Sequence, residues 1–305
     1  MVQDTRRDVW KVLDILNWTS NFLRDKGVPS PRLDAELLLA HVLGVERIQL
    51  YVQFERLLSD EERHAYRGLV RRRAGREPVQ YILGSQEFWS LTLAVGPGVL
   101  IPRSDTEVLV EEALSVLKPL CEASEGTAVS VADVGTGSGA IAVALATELA
   151  GLTVWAGDVA APALACAQRN AQAHGVAERV HILEASGVLP LWEGNQRAPL
   201  AAIVSNPPYI PEPQREGLMP EVKVFEPAEA LFSGADGMDV IRVIVTEASG
   251  EGVLAPDGLL ALEVSDGTQA QAVKELLESR GFTGTRIRDD YAGIPRAVVG
   301  RLSKG

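Results

Sequence analysis

The stretch that decides the fold lies at residues 131–140 and reads VADVGTGSGA. Its apolar beginning predicts a buried strand, and the apolar residues that follow Gly139 predict a helix. Between them lie Gly135 and Gly137, and glycine allows the backbone to turn sharply and to approach a ligand closely. A strand, a glycine turn and a helix in this order are typical of a nucleotide-type ligand bound at the carboxyl edge of a parallel sheet.

The residues around the glycine turn bear on which ligand it binds. A second predicted strand ends at Asp158, 19 positions beyond Gly139, where an acid would hold the hydroxyls of a ribose. The turn also satisfies the pattern G-x-G-x-x-A, so a nicotinamide cofactor and a dehydrogenase are one alternative. Asp133 favours a different ligand, because a carboxylate in the strand before the turn would repel a pyrophosphate and suits a cationic amino acid or a sulfonium.

A second informative stretch, residues 200–209, reads LAAIVSNPPY. An apolar run that stops at two prolines predicts a buried strand whose end opens into a cleft. Proline lacks an N–H and restricts the residue before it to extended conformations, so Asn206 is held rigidly. A carboxamide carries two donors and an acceptor and is suited to gripping another NH2 group. The alternative is a plain turn, since Asn and Pro are common turn residues.

After Gly126 the chain alternates between strand and helix patterns, which predicts a parallel, doubly wound sheet. The predicted strands are Val129–Val134, Thr153–Ala156, Val180–Leu183, Ala201–Val204, Gly258–Val264, Thr285–Arg288 and Ala297–Gly300. The predicted helices are Ala140–Ala150, Ala161–His174, Gly237–Ala248 and Thr268–Arg280. A polar, proline-rich loop from Pro211 to Pro227 follows Asn206, as a substrate-binding loop would.

The first ninety residues predict a small bundle of helices. Helical spacing of apolar residues runs from Val9 to Arg24, a Ser-Pro pair at residues 30–31 opens a second helix, and a capping box at residues 59–62 opens a third. Residues 86–95 alternate like a strand or a hairpin. We therefore predict a helical domain at 1–80, a β-hairpin linker at 81–100 and a catalytic domain at 101–305.

One basic cluster stands out in the helical domain. Its members are Arg71, Arg72, Arg73 and Arg76. A cluster at the end of a helix is compatible with a solvated helix terminus, which the macrodipole favours. A contact for an acidic or RNA-bearing partner is the other interpretation.

Composition excludes several classes of protein. The chain has 305 residues, a net charge of −12 and 46% hydrophobic residues, which is ordinary for a globular protein. Residues 1–90 hold 14 basic and 13 acidic side chains, whereas the remainder holds 15 and 28 and is unsuited to lying along a phosphate backbone. The chain begins without a secretory signal, and no apolar run approaches the ~20 residues of a membrane span. Two cysteines and four histidines show no metal-binding or catalytic spacing, so we expect a cytoplasmic protein without a metal.

Taken together, Asp133, the glycine turn, Asp158 and the NPPY motif at 206–209 resemble the pattern of S-adenosylmethionine-dependent methyltransferases. An inactive binding module would show a damaged glycine turn or NPPY motif, and neither is damaged. NPPY occurs in adenine-N6 DNA methyltransferases and in glutamine-N5 protein methyltransferases, because both act on a planar, conjugated NH2. The chain resembles the release-factor glutamine methyltransferase family (HemK/PrmC) over nearly its whole length. The residues that carry this resemblance are EPVQYILG at 77–84, EFW at 87–89, LIPRSDTE at 100–107, FEP at 225–227, AL at 230–231, GADG at 234–237 and DYAGIPR at 290–296.

This resemblance implies an α/β, class I S-adenosylmethionine-dependent methyltransferase with a Rossmann-like, mostly parallel seven-stranded sheet and a small N-terminal helical-bundle domain. It implies methylation of the N5 amide nitrogen of a glutamine in the Gly-Gly-Gln loop of peptide-chain release factors. The sister family that methylates a ribosomal-protein glutamine is the alternative, although DTE at 105–107 looks more like the release-factor enzymes. No direct nucleic-acid substrate, no membrane association and a monomer are expected.

The candidate site residues follow from these motifs. We predict that Asn206, Pro207 and Tyr209 are catalytic: the Asn206 side-chain oxygen and the Pro207 carbonyl accept the two N–H groups of the substrate amide, and Tyr209 packs against its plane. Pro208 joins these three in binding the substrate. The predicted cofactor contacts are Gly135, Thr136, Gly137, Ser138, Gly139, Asp158, Gly187 and Asn206.

Two features of the chain qualify these predictions. Ser186 and Gly187 stand where the family has an acid and a bulky residue near the adenine, which leaves backbone atoms to make those contacts. Arg103 and Glu107 are candidates for bracing the site, and solvated positions at the start of a helix are the alternative for both.

Overall fold

The computed structural model describes residues 10–124 and 127–303. The chain divides into two compact units, Met1–Gly84 with Pro220–Phe225 and Ser85–Met219 with Glu226–Gly305. The linker that the sequence suggested at 81–100 is thus split, because its hairpin belongs to the second unit. The predicted helix start at Val9 lies outside the described residues.

The first unit is built from helices. They are α1 Val12–Asp25, α2 Pro31–Leu43, α3 Arg47–Val52, α4 Asp60–Ala74 and α5 Val79–Leu83. The capping box forms as the sequence indicates, with the Ser59 side chain accepting from the Glu62 backbone and the Glu62 side chain accepting from the Ser59 backbone. Leu38, Leu39 and Tyr66 are buried where the helices meet. The short helices α3 and α5 are not apparent in the sequence because five or six residues are too few to show a period.

Most arginines of the basic cluster form ion pairs with acidic side chains of the first unit. Arg73 is 4% exposed, and its guanidinium donates to Asp34 Oδ2 at 2.6 Å and to Glu221 Oε1 at 2.8 Å. Arg76 donates to the same Glu221 at 2.7 Å, while Arg72 pairs with Glu77. We call Asp34, Arg73, Arg76 and Glu221 the ion cluster. These pairings replace both interpretations offered by the sequence for Arg72, Arg73 and Arg76.

The second unit contains a two-stranded hairpin and a seven-stranded sheet. Its strands are β1 Ser85–Phe88, β2 Leu91–Ala94, β3 Val129–Val134, β4 Leu152–Asp158, β5 Val180–Glu184, β6 Leu200–Ser205, β7 Leu254–Glu263, β8 Phe282–Asp289 and β9 Pro295–Leu302. Its helices are α6 Glu107–Ala123, α7 Ala140–Glu148, α8 Ala161–Ala173, α9 Leu189–Gly194, α10 Asp239–Ala248 and α11 Gly267–Ser279. The large sheet has the order β5-β4-β3-β6-β7-β9-β8, in which only β9 pairs antiparallel with its neighbours. The predicted mostly parallel seven-stranded sheet is therefore confirmed.

Alternate residues of the central strands face two different hydrophobic cores. Val131 of β3 and Val204 of β6 face one core with α6 and α7, whereas Ala132 and Ile203 face the other with α10 and α11. A strand buried on both faces needs apolar residues at every position, which explains the near-continuous apolar runs of these strands. This layering leaves the carboxyl ends of the parallel strands as the edge where polar residues gather.

Candidate active site

The candidate site lies where β3 and β6 end side by side. Val134 pairs with Ser205 in the parallel register, and the Ser205 hydroxyl donates to the Val134 carbonyl at 2.6 Å. From β3 the chain continues to β4 on one side of the sheet, while β6 lies on the other. Loops that leave a sheet in opposite directions open a crevice between them, and ligands of doubly wound sheets bind in that crevice.

A cavity of about 260 Å³ occupies this crevice. Predicted site residues that line it are Gly135, Thr136, Gly137, Ser138, Asp158, Gly187, Asn206 and Pro208. The structure does not bring Gly139, Pro207 or Tyr209 to the cavity wall. The glycine turn, the end of β4 and the NPPY motif therefore converge, although they are far apart in sequence.

Gly139 serves packing instead of lining the cavity. Its φ of +81° is unfavourable for residues with a side chain, and a Cβ there would lie 3.1 Å from the Cβ of Ala167 in α8. Glycine therefore allows α7 to begin close against α8. The glycine turn is further held by the backbone N–H groups of Gly135 and Thr136, which donate to the Gly157 carbonyl at 2.9 and 2.8 Å.

Asp133 lies beneath the glycine turn and does not line the cavity. Its side chain is fully buried, and Oδ2 accepts from the Thr136 hydroxyl at 2.6 Å and from the Ala142 backbone at 3.2 Å. Burial raises the pKa of Asp133 to about 7. The interpretation that Asp133 faces a cationic ligand is corrected: the carboxyl group holds the turn in shape from below.

Asp158 lines the cavity next to the glycine turn. Its Oδ2 accepts from the Gly137 backbone and its Oδ1 from the Ala160 backbone, both at 2.9 Å. A carboxylate has about four acceptor positions, so each oxygen retains capacity for a hydroxyl group of a ligand. The position of Asp158 is thus compatible with the predicted contact to a ribose.

Ser186 and Gly187 line the cavity beyond Asp158. Gly187 has a φ of +84°, and a Cβ there would collide with the carboxylate of Glu247. That carboxylate accepts from the Val188 backbone at 2.6 Å and fixes the loop from behind. Because no bulky side chain projects at this point, backbone atoms form the wall, together with the apolar Val159 on the neighbouring loop.

Asn206 presents its carboxamide to the cavity in a fixed orientation. Its Nδ2 donates to Thr106 Oγ1 at 3.2 Å. Among the residues that the structure describes, none donates to Asn206 Oδ1, so the acceptor half of the group is available to a ligand. Thr106 is buried and precedes α6, and the sequence did not indicate its part in the site.

Tyr209 points away from the cavity toward Glu263 at the end of β7. Its hydroxyl donates to Glu263 Oε1 at 3.2 Å, and its backbone carbonyl accepts from Gln269 Nε2 at 3.0 Å. Burial, followed by the Glu263 charge, raises the pKa of Tyr209. We call Asn206, Thr106, Tyr209 and Glu263 the amide cluster. In it, Tyr209 supports the NPPY backbone and does not present its ring to the cavity.

Two loops of the cavity wall are joined by an ion pair. The Arg103 guanidinium donates to Glu226, whose other oxygen accepts from the Ile101 backbone at 3.3 Å. Neighbours of these residues, Pro102 and Pro227, line the cavity. Arg103 therefore braces the wall. Glu107 instead accepts from the Trp89 backbone at the tip of the β1–β2 hairpin, at 2.9 Å.

Sequence reasoning missed Thr106, Glu226 and Glu263 as members of this site. Glu263 carries the clearest signal that could have found it, because a lone acid at the end of an apolar strand is costly to bury without a partner. Thr106 and Glu226 lie in the motifs LIPRSDTE and FEP that carry the family resemblance, and that membership is the signal that could have found them.

The residues present fit a nucleoside with a polar extension. Asp158 can accept from hydroxyl groups, the glycine turn offers backbone without side chains, and Val159, Ala163 and Val240 give an apolar wall suited to a base. Within the described ranges, no group of three or more His, Cys, Asp and Glu side chains could hold a metal ion. No helix in those ranges is long and apolar enough to cross a membrane.

Comparisons with known proteins agree with this geometry. The family model for the PrmC N-terminal domain matches residues 14–84, and that for the methyltransferase small domain matches residues 111–236. The chain is 46% identical to a release factor glutamine methyltransferase of Geobacter sulfurreducens, over 97% of this chain and 98% of the relative. It is 40% identical to the protein of the same name from Chlorobaculum tepidum, over 95% and 97% of the two chains.

Similarity in fold extends further than similarity in sequence. The hMettl16 catalytic domain, solved in complex with the MAT2A 3'UTR hairpin 6, superposes with a TM-score of 0.54 over 82% of this chain and 86% of that chain. Its sequence identity is 13%, so it shows the shared fold alone. The near-full-length relatives and both family models confirm the resemblance seen in the sequence: the chain belongs to the release factor glutamine methyltransferase family and is a methyltransferase whose methyl donor is S-adenosylmethionine.

Proposed function

We propose that this enzyme methylates the N5 amide nitrogen of a glutamine in the Gly-Gly-Gln loop of peptide-chain release factors. The relatives' names, which state a release factor glutamine as target, support this choice. The single observation that carries it is the Asn206 carboxamide, held at Nδ2 by Thr106 and open at Oδ1 toward the cavity. An acceptor fixed in this way matches the N–H of a substrate amide.

The reaction requires the protein mainly to position the substrate amide next to the methyl donor. A glutamine amide nitrogen is a poor nucleophile because its lone pair is delocalised into the carbonyl group. S-adenosylmethionine supplies a methyl group that the sulfonium already activates, so neither a metal nor a strong base is required. Asn206 Oδ1 accepts an N–H group of the substrate, which favours positive charge on the nitrogen and directs its lone pair. The part expected of the Pro207 carbonyl stays a prediction, because Pro207 does not line the cavity. Alignment of this kind contributes up to ~7–11 kcal/mol, and acceptors placed where charge develops add to it.

The remaining predicted residues divide between binding and support. Pro208 lines the cavity and provides an apolar surface for the substrate side chain. Tyr209 holds the motif in place through Glu263 and Gln269, as the hydrogen bonds indicate. Gly135, Gly137 and Asp158 hold the cofactor, Asp158 through the ribose hydroxyls.

We further propose that the helical unit docks the release factor. Large apolar side chains lie exposed on and after α3, among them Ile48 at 68% and Val52 at 76% exposure, with Tyr51, Phe54 and Leu57 beside them in sequence. Exposed apolar groups that are close together are typical of surfaces that bind another protein. Because release factors act in translation, we place the enzyme in the cytoplasm.

The alternatives differ in substrate. A ribosomal-protein glutamine presents the same amide, so the cavity alone does not separate it from a release factor. An adenine of DNA presents a conjugated NH2, but residues 91–305 hold 28 acidic and only 15 basic side chains, which disfavours a phosphate backbone.

The test compares these substrates directly. The full chain is incubated with S-adenosylmethionine and, separately, with a bacterial release factor, a large ribosomal-subunit protein preparation and duplex DNA. Mass spectrometry locates any added methyl group. We expect one methyl group on the Gly-Gly-Gln glutamine of the release factor. Methylated adenine, or a methylated ribosomal protein beside an untouched release factor, would overturn the proposal.

A further inference from the structure

We propose that Thr106 is a positioning residue that sets the orientation of the Asn206 carboxamide. The inference rests on the proposed function, because it concerns which half of the carboxamide meets the substrate amide. The motifs described above do not assign Thr106 to the reaction.

The Thr106 hydroxyl does not cap the helix that Thr106 precedes. It closes the short 3-10 turn Ser104–Thr106 and is the N-cap residue of α6. N-cap threonines usually accept from the first turn of their own helix, but this side chain makes no such bond. It is 4% exposed, lines the cavity and accepts from Asn206 Nδ2 instead. The hydroxyl is therefore directed to Asn206 and not to the helix.

The orientation of the Asn206 carboxamide decides whether it can accept a hydrogen bond from the NH2 group of the substrate. A carboxamide has an acceptor oxygen and a donor NH2 of nearly the same shape, so nothing in its own geometry favours one over the other. If the group were turned over, its NH2 would face the NH2 of the substrate glutamine, and two donors would meet. Thr106 accepts from Nδ2, which favours the orientation in which Oδ1 faces the cavity.

Glu263 is the buried acid of the amide cluster. Its carboxyl group is 1% exposed, and one of its oxygens, Oε2, has no hydrogen-bond partner among the described residues. The other oxygen accepts from the Tyr209 hydroxyl at 3.2 Å. Burial raises the pKa of Glu263 to about 7, while the Thr106 hydroxyl, the Arg296 charge and the Tyr209 hydroxyl oppose that rise. Glu263 thus holds the NPPY motif through Tyr209, while Thr106 contacts Asn206 directly.

Ion pairs hold the turn that carries Thr106. Arg296, on β9, lies 3.4 Å from Asp105 Oδ2 and 3.2 Å from Asp290 Oδ2. The charge of Asp105 acts on Glu263 in the direction that raises its pKa, opposite to Arg296. Residues of the 3-10 turn, of β9 and of the NPPY loop therefore hold the amide cluster in place. These contacts give Thr106 one defined position next to Asn206.

The experiment uses Thr106→Val, which keeps the shape and removes the hydroxyl, and Thr106→Ser, which keeps the hydroxyl. Methylation of the release factor is measured under steady state, together with cofactor dissociation constants and melting temperatures. We expect Thr106→Val to lower kcat about tenfold, the equivalent of one hydrogen bond. KM for the release factor and the cofactor dissociation constant should stay within about twofold, since neither contact involves Thr106. Thr106→Ser should recover most of the lost rate.

Three results would overturn the inference. The first is a wild-type kcat for Thr106→Val. The second is an equal loss in both variants that follows a fall in melting temperature, because that outcome assigns Thr106 to packing. The third is an additive loss when Thr106→Val is combined with Asn206→Ala, since a residue that acts through Asn206 has no further effect once that side chain is gone. Failure of the parent enzyme to methylate the release factor would instead overturn the proposed function, and this inference with it.

Thr106→Ala keeps the proposal falsifiable if Thr106→Val does not fold. This variant also removes the hydroxyl that accepts from Asn206 Nδ2. We expect kcat to fall in the same direction with cofactor affinity unchanged. A kcat equal to wild type would overturn the inference.

Discussion

The ion cluster of the helical unit and the amide cluster of the catalytic unit are both buried and polar, yet they differ in how completely they are paired. In the ion cluster, two guanidinium groups face two carboxylates, and Arg73 contacts both acids. Burial raises the pKa of Glu221, but the hydrogen bonds from Arg76 and Arg73 outweigh it and hold that pKa below its usual value. In the amide cluster, one oxygen of Glu263 accepts from none of the residues that the structure describes, and burial raises the pKa of Glu263 to about 7.

The difference indicates two uses of buried polarity. The ion cluster pairs its charges with one another, although burial still raises the pKa of Asp34, and it joins the segment Pro220–Phe225 to α4 within the helical unit. The amide cluster ends in an oxygen that is open to a cavity, at Asn206 Oδ1. Removing one member of each cluster should therefore produce opposite losses: stability in the first case and turnover in the second.

Breaking the ion cluster should give the largest effect. Arg73→Met removes the charge that faces both Asp34 and Glu221, and a buried ion pair broken from one side typically costs about 3–5 kcal/mol. Urea unfolding measures the loss. Arg71→Met is the matched control, because Arg71 is an exposed neighbour and should change stability by about 0.5 kcal/mol or less. An equal, small loss in both variants would show that the ion cluster does not stabilise the unit.

Disrupting the amide cluster should lower turnover while the protein remains folded. Asn206→Ala takes away a positioned acceptor, and loss of one such group typically lowers kcat about 10²–10³-fold. The cofactor dissociation constant and the free energy of unfolding should remain close to wild type. Single-turnover methylation of the release factor measures the rate. Full activity in this variant would exclude Asn206 from the reaction.

Asp158 separates cofactor binding from turnover, because it lies on the cofactor side of the cavity that Asn206 also lines. Asp158→Ala should weaken S-adenosylmethionine binding by about tenfold or more, as expected for the loss of hydrogen bonds to a charged group. Titration calorimetry gives the dissociation constant directly. With cofactor at saturation, kcat should fall much less than in Asn206→Ala. An unchanged dissociation constant would argue against a ribose contact.

The last prediction concerns pH. The pKa of Asp133 is about 7 in the folded chain and 3.8 in its ordinary environment, so between these values the folded state holds a proton that the unfolded state has released. Stability from this group is present below about pH 4 and is lost as the pH rises through about 7. The unfolding free energy of Asp133→Asn relative to wild type should therefore increase from pH 5 to pH 8. Glu263 is shifted in the same direction but is present in both chains, and a constant difference would contradict the assignment.

The sequence predicts the catalytic fold well because its strands and glycine turn are local patterns. Val129–Val134 is a strand as expected, and the Asn206 and Gly135 loops meet because parallel strands end at the same edge. It does not predict that Arg73 pairs with Glu221, 148 positions away, because pairing between distant charges depends on the fold. The sequence also does not predict the orientation of the Tyr209 ring, because the NPPY motif allows it to face either the substrate or Glu263.

One measurement tests the central claim most directly. A release factor whose Gly-Gly-Gln glutamine is replaced by glutamate is compared with the natural release factor in transfer of a radiolabelled methyl group from S-adenosylmethionine. Because the account requires an amide N–H group that Asn206 accepts, it predicts one labelled methyl group per natural release factor and none on the variant. Equal labelling of both proteins would show that the methyl group goes elsewhere and would contradict the account.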